Sequence, residues 1–519
     1  MTIVGGAAID KPKELTVSLS LWSATLGLTL VVALTLRLWN IASVPPELHP
    51  DEYAGWLGIN AMLSGGSSPT VFLDYGVVYL PLYGLLETIS GWLFGPTVTA
   101  FRLPAALLGV VTALGTGLLG YQLVRSRAIL LLGCAMMAIL PWDVSASRIA
   151  WEPAAMLPCL LFGLYLLRRG LYASSGRDAS IGFALLAIGA YSYRAESFYA
   201  VTLGTALLAI EFERTRAMWR EVLIGLGIAA LIMLPLGVSV LVHPQYLTSG
   251  PAQGTFDVGI NPASLAEFGN LYFKHFSIQA LFFTGDGNMQ HGPPTGVLYP
   301  WMAPFILGGL LAPLGLFPLR ARLFALVWLG LYPFGGSLTD ENGGQHFIRT
   351  IAGAPLFCIL AAIGLLACWQ IVTDFAARTR WRVTIVTATT TLLAAVALGQ
   401  LVQFCDAYFV RYPDQAAKAF HYGDRDIFAF VRTYDAGYDR VCFTVLDGWN
   451  WTAQVLYYMH DYDTRGSTLD VIPEFDKSCK KPKSLLALQS QLEAPPDARF
   501  LGTVQRRDGT IRAYFYAIP

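Results

Sequence analysis

Apolar runs of about 16–22 residues recur from the start of the chain to about Gln400, and a membrane-spanning helix needs about 20. The runs are 17–38, 101–123, 128–143, 153–168, 181–194, 198–211, 221–242, 298–318, 322–337, 351–371 and 383–402. A chain solvated by lipid has to satisfy its backbone hydrogen bonds internally, which restricts such runs to bundled helices. Composition agrees: 55% of the 519 residues are hydrophobic and 13% are charged, against about 25% charged in a soluble domain. The expected fold is an all-α polytopic membrane domain of about 11–13 helices. The first run has no small-residue cleavage site and follows Lys11 and Lys13. It reads as an uncleaved helix with its N-terminus in the cytoplasm.

From about Val402 the composition turns polar, with alternating runs such as Arg440–Val445 and Ile511–Ala517. Residues 1–402 are therefore expected to form the membrane domain, and 403–519 a soluble α+β domain of about 115 residues. Cys134, Cys159, Cys358 and Cys368 fall in apolar runs as packing residues. Cys405, Cys442 and Cys479 lie in the polar tail. In an oxidising compartment one pair bridges, and Cys442–Cys479 is the expected pair. The formal net charge is zero, so nothing in bulk electrostatics points to nucleic acid.

Lys and Arg cluster at Lys11/Lys13, Arg125/Arg127, Arg168/Arg169/Arg177, Arg214/Arg216/Arg220, Arg320/Arg322 and Arg378/Arg380/Arg382. Placing all of these in the cytoplasm makes the helices alternate across an inner (plasma) membrane. The loops 40–75, 143–152, 243–297 and 338–350, the region of Arg194 and the C-terminal domain then lie outside, with all seven histidines. The run 76–95 breaks the parity if it crosses. Pro81 and Gly84 within it suit a re-entrant or interfacial segment.

The outer loops carry few charges, and these are concentrated. His49-Pro50-Asp51-Glu52-Tyr53 follows the first helix. Its carboxylates suit a general base or a divalent-metal pair, and equally a solvated turn with Asp51 as a helix cap. Ser147-Arg148 to Glu152-Pro153 opens a helix. Arg148 and Glu152 fit an ordinary i,i+4 ion pair, yet charge at a membrane helix end marks a functional suspect. Asp143 reads as a cap or interface residue. Arg194 breaks the positive-inside pattern; it suits phosphate recognition, a pair with Glu196, or snorkelling. In the long loop 243–297, Lys274, His275 and His291 are candidates for neutralising a phosphate, whereas Asp286 among glycines suits a tight turn. His346 and Arg349 are phosphate candidates or headgroup anchors. No GxxxxGK[ST], GxSxG or HExxH occurs, which argues against ATP hydrolysis, common serine hydrolases and zinc proteases.

In this order and on this side, the motifs resemble the GT-C superfamily of membrane glycosyltransferases. The resemblance is to the branch of protein O-mannosyltransferases and lipid A aminoarabinose transferases. It covers about residues 17–402. It rests on Asp51-Glu52, on Trp92-Leu93-Phe94-Gly95 to Arg102-Leu103-Pro104, and on Ser147-Arg148 to Glu152-Pro153. The stretch His275-Phe276-Ser277 to Gly285-Asp286 to His291 adds to it. It implies a polyprenyl-phosphate sugar donor, membrane lipids as surroundings, and a cavity at the outer face. Asp51 would be the base or acceptor-orienting acid. Glu152 stands where relatives usually have Asp, and Arg194 where aminoarabinose transferases have a lysine that contacts lipid phosphate. Relatives differ in metal use, so a divalent ion at Asp51 and Glu52 stays open. Sugar and acceptor are not specified. Two rivals keep the same charges: a transporter or flippase, and an envelope scaffold acting through 403–519. The charges sit in outer loops rather than at midplane and no repeated half is visible, which speaks against transport.

Overall fold

The computed structural model describes residues 19–64, 73–74, 78–244, 253–255, 259–340, 344–434, 437–444, 470–472 and 477–519. Lys11, Lys13, Glu341, Asn342 and His460 lie outside the described residues, as does the Glu196 side chain. Every apolar run is occupied by a helix. In chain order the first half holds α1 (Leu19–Leu38), α2 (Asp51–Leu63), α3 (Pro81–Phe94), α4 (Val98–Val124), α5 (Arg127–Ile139), α6 (Pro141–Ala146), α7 (Pro153–Ala173), α8 (Gly176–Gly189), α9 (Arg194–Ile210), α10 (Phe212–Ala217) and α11 (Trp219–Val242). There follow α12 (Pro262–Lys274), α13 (Ala303–Leu310), α14 (Leu319–Leu331), α15 (Gly353–Ala377) and α16 (Arg382–Cys405). Among the described residues, six spans are long and apolar enough to cross a membrane: α1, α4, α7, α11, α15 and the one that begins with α16.

Small residues let these helices approach. A Cβ on Gly364 of α15 would lie 1.8 Å from the Phe305 carbonyl oxygen of α13, so only hydrogen fits there. Such contacts carry helix association where lipid supplies no hydrophobic drive. Of the run 76–95, the described residues form β2 (Val78–Tyr79), paired with β1 (Leu73–Asp74), and then α3. At 14 residues α3 is roughly 21 Å long, short of a span. It packs on α2 where Gly55 meets Gly84, and it leaves Leu85, Ile89, Trp92, Leu93 and Phe94 exposed.

One end of the bundle gathers the basic clusters. Glu211 (1% exposed) holds Arg168 at 3.3 Å, Arg320 at 3.3 Å and Arg214 at 3.8 Å. The Tyr172 ring lies beneath the Arg125, Arg168 and Arg214 guanidiniums. At the other end β3 (Gln253–Gly254) pairs with β4 (Thr339–Asp340), joining two outer loops.

The helical body does not stop at residue 402. Phe404, Tyr408, Tyr412, Ala416 and Phe420 are buried in its main hydrophobic cluster, running from the end of α16 through a π-helical turn at Asp406–Arg411 and a short helix at Tyr412–Gln415 into the turns beyond it. The separate C-terminal core begins with α17 (Asp424–Tyr434), which sets Ile427, Phe428 and Val431 against a sheet. Its strands are β5 (Arg440–Phe443), β6 (Asp470–Ile472), β7 (Ser484–Leu488), β8 (Arg499–Gln505) and β9 (Ile511–Ile518), in the order β6-β5-β7-β9-β8. β5 runs parallel to β6 and β7; β9 runs antiparallel to β7 and β8. A Cys442–Cys479 disulfide ties β5 to the segment before β7, and Cys405 remains a free thiol.

Candidate active site

At the end opposite Glu211, the loop after α1 turns back into the bundle and is held there by arginines. Arg148 donates to the carbonyls of Leu36, Arg37, Trp39 and Val44 at 2.7–2.8 Å and lies over the rings of Tyr408 and Phe409. Arg37 pairs with Asp143, both buried. Arg102 grips Glu52 with two nitrogens, at 2.7 and 2.8 Å, and also reaches the carbonyls of Ile41, Pro45 and Glu47.

These contacts correct three expectations. Glu52 is fully buried, and its oxygens accept from Arg102, His49 N and Ala150 N. It has no lone pair to spare for a proton transfer or a cation, so Asp51 and Glu52 make no chelate. Arg148 caps the end of α1 and forms neither a phosphate grip nor an i,i+4 pair with Glu152, because α6 ends at Ala146 and α7 starts at Pro153. Asp143 is an internal counter-ion. His275 is also spent: Nδ1 donates to the Leu271 carbonyl at 2.8 Å, Nε2 accepts from His346 N at 3.2 Å, and the residue is 0% exposed. Burial lowers its pKa, so it stays neutral.

Asp51 and Glu152 differ from these. Asp51 opens α2 as a first-turn residue, not as its cap, and its side chain is 27% exposed. Its Oδ2 lies 3.3 Å from His49 Nδ1. Glu152 precedes α7, and its backbone carbonyl accepts from Ser192 Oγ. Burial first, and then the nearby Asp51 carboxylate, push the Glu152 pKa up to about 8; Arg194 opposes them. An acid with a raised pKa therefore stands beside a second carboxyl, the arrangement that separates donor from acceptor of a proton. Arg194 starts α9 with its side chain exposed, and Arg349 lies within electrostatic range of it.

Histidines close the other side. His49 Nε2 is 2.9 Å from the Gln290 side-chain amide. His291 Nδ1 donates to Asp286 Oδ2 at 2.6 Å, and its ring lies 4.5 Å from that of His346. Asp286 does make the expected turn, accepting from Asn288 N at 3.1 Å, while its second oxygen takes His291 and Phe347 N. Burial alone would raise the Asp286 pKa, but His291 and these N–H donors outweigh it and hold the carboxyl below its usual range. Trp151 sits between His49 (6.4 Å) and His291 (5.9 Å). His421, from the C-terminal segment, lies 5.4 Å from His49.

The structure thus gathers Asp51, Glu152, Arg194, His291, His346 and Arg349. Lys274 ends α12, where its carbonyl accepts from Gln345. His49, Trp151, Gln290 and His421 were not singled out. The signal for His49 and His421 was the common outer side of all the histidines. Among the described residues no three His, Cys, Asp or Glu side chains converge in a metal-holding arrangement.

No protein-family model matches the chain, and no curated protein matches it in sequence. Solved structures do match. ArnT from Cupriavidus metallidurans in the apo state aligns with a TM-score of 0.57 at 13% identity, over 96% of this chain and 97% of that one. The same protein bound to undecaprenyl phosphate gives 0.52 at 15% identity, over 96% and 98%. The apo oligosaccharyltransferase of Archaeoglobus fulgidus gives 0.55 at 14% identity, over 90% of this chain and 66% of that one. The chain is a multi-pass membrane protein with the GT-C fold.

Proposed function

We propose that the protein is a glycosyltransferase that takes a sugar from a polyprenyl-phosphate donor at the outer face of an inner (plasma) membrane. The observation that carries this is the neutral Glu152 beside the Asp51 carboxylate, with Arg194, Arg349, His291 and His346 gathered around them. The fold shared with ArnT, which has been solved with undecaprenyl phosphate, supports the donor class. The N-terminus is cytoplasmic and the C-terminal sheet extracytoplasmic, by the positions of the basic clusters.

In the reaction an acceptor hydroxyl attacks the anomeric carbon and its proton passes to Asp51. The bond from that carbon to the phosphate oxygen breaks, and the electron pair leaves with the polyprenyl phosphate. Arg194 and Arg349 meet the growing phosphate charge, and His291, held in place by Asp286, lines the same side. Glu152, neutral below about pH 8, can donate a further hydrogen bond. A single displacement inverts the anomeric configuration. The acceptor hydroxyl belongs to a protein, a lipid or a glycan.

Transfer from radiolabelled polyprenyl-phosphate sugars to membrane acceptors tests this. Asp51→Asn should lower the rate roughly 10²–10⁴-fold with an unchanged melting temperature. Wild-type turnover in that variant would sink the assignment.

A further inference from the structure

The carboxyl group of Glu47 leaves the loop after α1 and ends on the C-terminal core. Its Oε2 accepts from Gly423 N at 2.8 Å and its Oε1 from Arg425 N at 3.0 Å. Both N–H groups lie at the start of α17, where a helix has no carbonyl of its own to offer them. Such groups are ordinarily capped by a Ser, Thr, Asp or Asn at the helix end itself. Here the acceptor comes from 376 positions away.

The backbone is bent on both sides of this contact. Glu47 has φ +57° and His421 φ +52°, in the left-handed region that L residues seldom occupy, and Gly423 stands at +101°. Glycine is the usual occupant of such a turn. A glutamate in that place is held there by what its side chain reaches.

Each end of the contact is anchored. On one side Arg102 binds the carbonyls of Ile41, Pro45 and Glu47 and closes on Glu52, the residue after Asp51. On the other, Asp424 pairs with Arg512 of β9 at 2.8 Å, both buried, and a Cβ on Gly423 would come within 3.2 Å of the Arg512 side chain. Breaking either pair strands a buried charge, so neither anchor yields readily. A continuous set of polar contacts thus runs from the C-terminal sheet through α17 and Glu47 to the neighbour of Asp51. Burial raises the Glu47 pKa to about 7 against the pull of its two N–H donors, and Asp424 and Asp426 add to the rise. The neutral form still offers a carbonyl oxygen to one of those donors.

We propose that Glu47 is a positioning residue: through it the C-terminal core sets where the Asp51 loop stands, and sugar transfer reaches its full rate only with α17 docked. This rests on the transfer reaction inferred above. Glu47 acts through the five residues of chain that lead to Glu52 and not by contact with the reacting atoms.

Glu47→Gly removes the carboxyl group while suiting the left-handed turn. In the labelled-donor assay its kcat should fall roughly 10–100-fold, with little change in the KM for donor and a melting temperature near that of the wild type. Glu47→Gln keeps one acceptor oxygen and should recover most of the loss. Hydrogen exchange on the full-length glycine variant in detergent should quicken over residues 421–434 and 49–57, and not in α7. Wild-type kcat in Glu47→Gly beside an inactive Asp51→Asn overturns the proposal and leaves the transfer reading standing. So does a lowered melting temperature with equal losses in the glycine and glutamine variants, which would make Glu47 merely structural. Wild-type turnover in Asp51→Asn sinks the transfer reading instead. The joint is then judged by exchange alone, and an unchanged rate over 49–57 overturns it.

Discussion

The two ends of the helical body treat charge in opposite ways. At the basic end one buried carboxylate, Glu211, collects three guanidiniums, and Tyr172 donates its hydroxyl to the same group at 2.9 Å. Opposite charges there are brought into contact, three guanidiniums sharing one buried carboxylate. At the other end two carboxyls, Asp51 and Glu152, stand near each other, and Arg194 and Arg349 do the same. Like charges held together cost free energy, and the surrounding fold sustains that cost. An end that only ties helices sets unlike charges in contact. An end prepared for a charged substrate keeps its charges poised.

Glu52 is the sharpest test of that contrast, because it lies in the poised end yet behaves like the tied one. Glu52→Gln should cost about 3–5 kcal/mol, since it strands the buried Arg102. Thermal unfolding in detergent reads this, and a wild-type melting temperature would return Glu52 to the chemistry. Glu152→Gln should act through pH. The folded pKa of about 8 lies above the ordinary value of 4.5, so the stability tied to this proton is complete below about pH 4.5 and lost as pH rises through about 8. The variant should flatten that fall between pH 5 and 8 and change little at the acid end; an unaltered pH slope would remove Glu152 from the poised group. Arg320→Gln is the mild case. Its side chain is 42% exposed, so its loss should leave the melting temperature close to that of the wild type. A clear drop would mean that the basic end is no simple tie.

Much of the fold was legible because lipid leaves its mark on every residue of a span, and each apolar run became a helix. The edge at residue 402 was misjudged for a physical reason. Average polarity rises there, but Phe404, Tyr408, Tyr412, Ala416 and Phe420 recur every four residues and keep one face buried. Asp51, Glu152, Arg194 and His291 could be found because charge is rare in such a chain. Their neighbours Glu52, Arg148 and His275 carried the same signal and turned out to be internal ties. The partner that settles Glu52, Arg102, is 50 positions away, and the carbonyls that crown Arg148 leave no trace in side-chain identity. Asp286 showed its turn in the sequence; its bond to His291 needed the fold.

Tyr412 donates to the Met289 carbonyl at 2.5 Å, and the His421 ring lies tilted 5.4 Å from that of His49. The wall of the site is therefore completed by residues that a ribosome makes long after the loop that holds Asp51. During synthesis the membrane already contains α1 to α15 while the pocket still lacks one side. Any donor lipid that reached the pocket then would meet an open, hydrated cleft. Under the proposed function, the site is whole only once the segment that carries Tyr412 and His421 has been made.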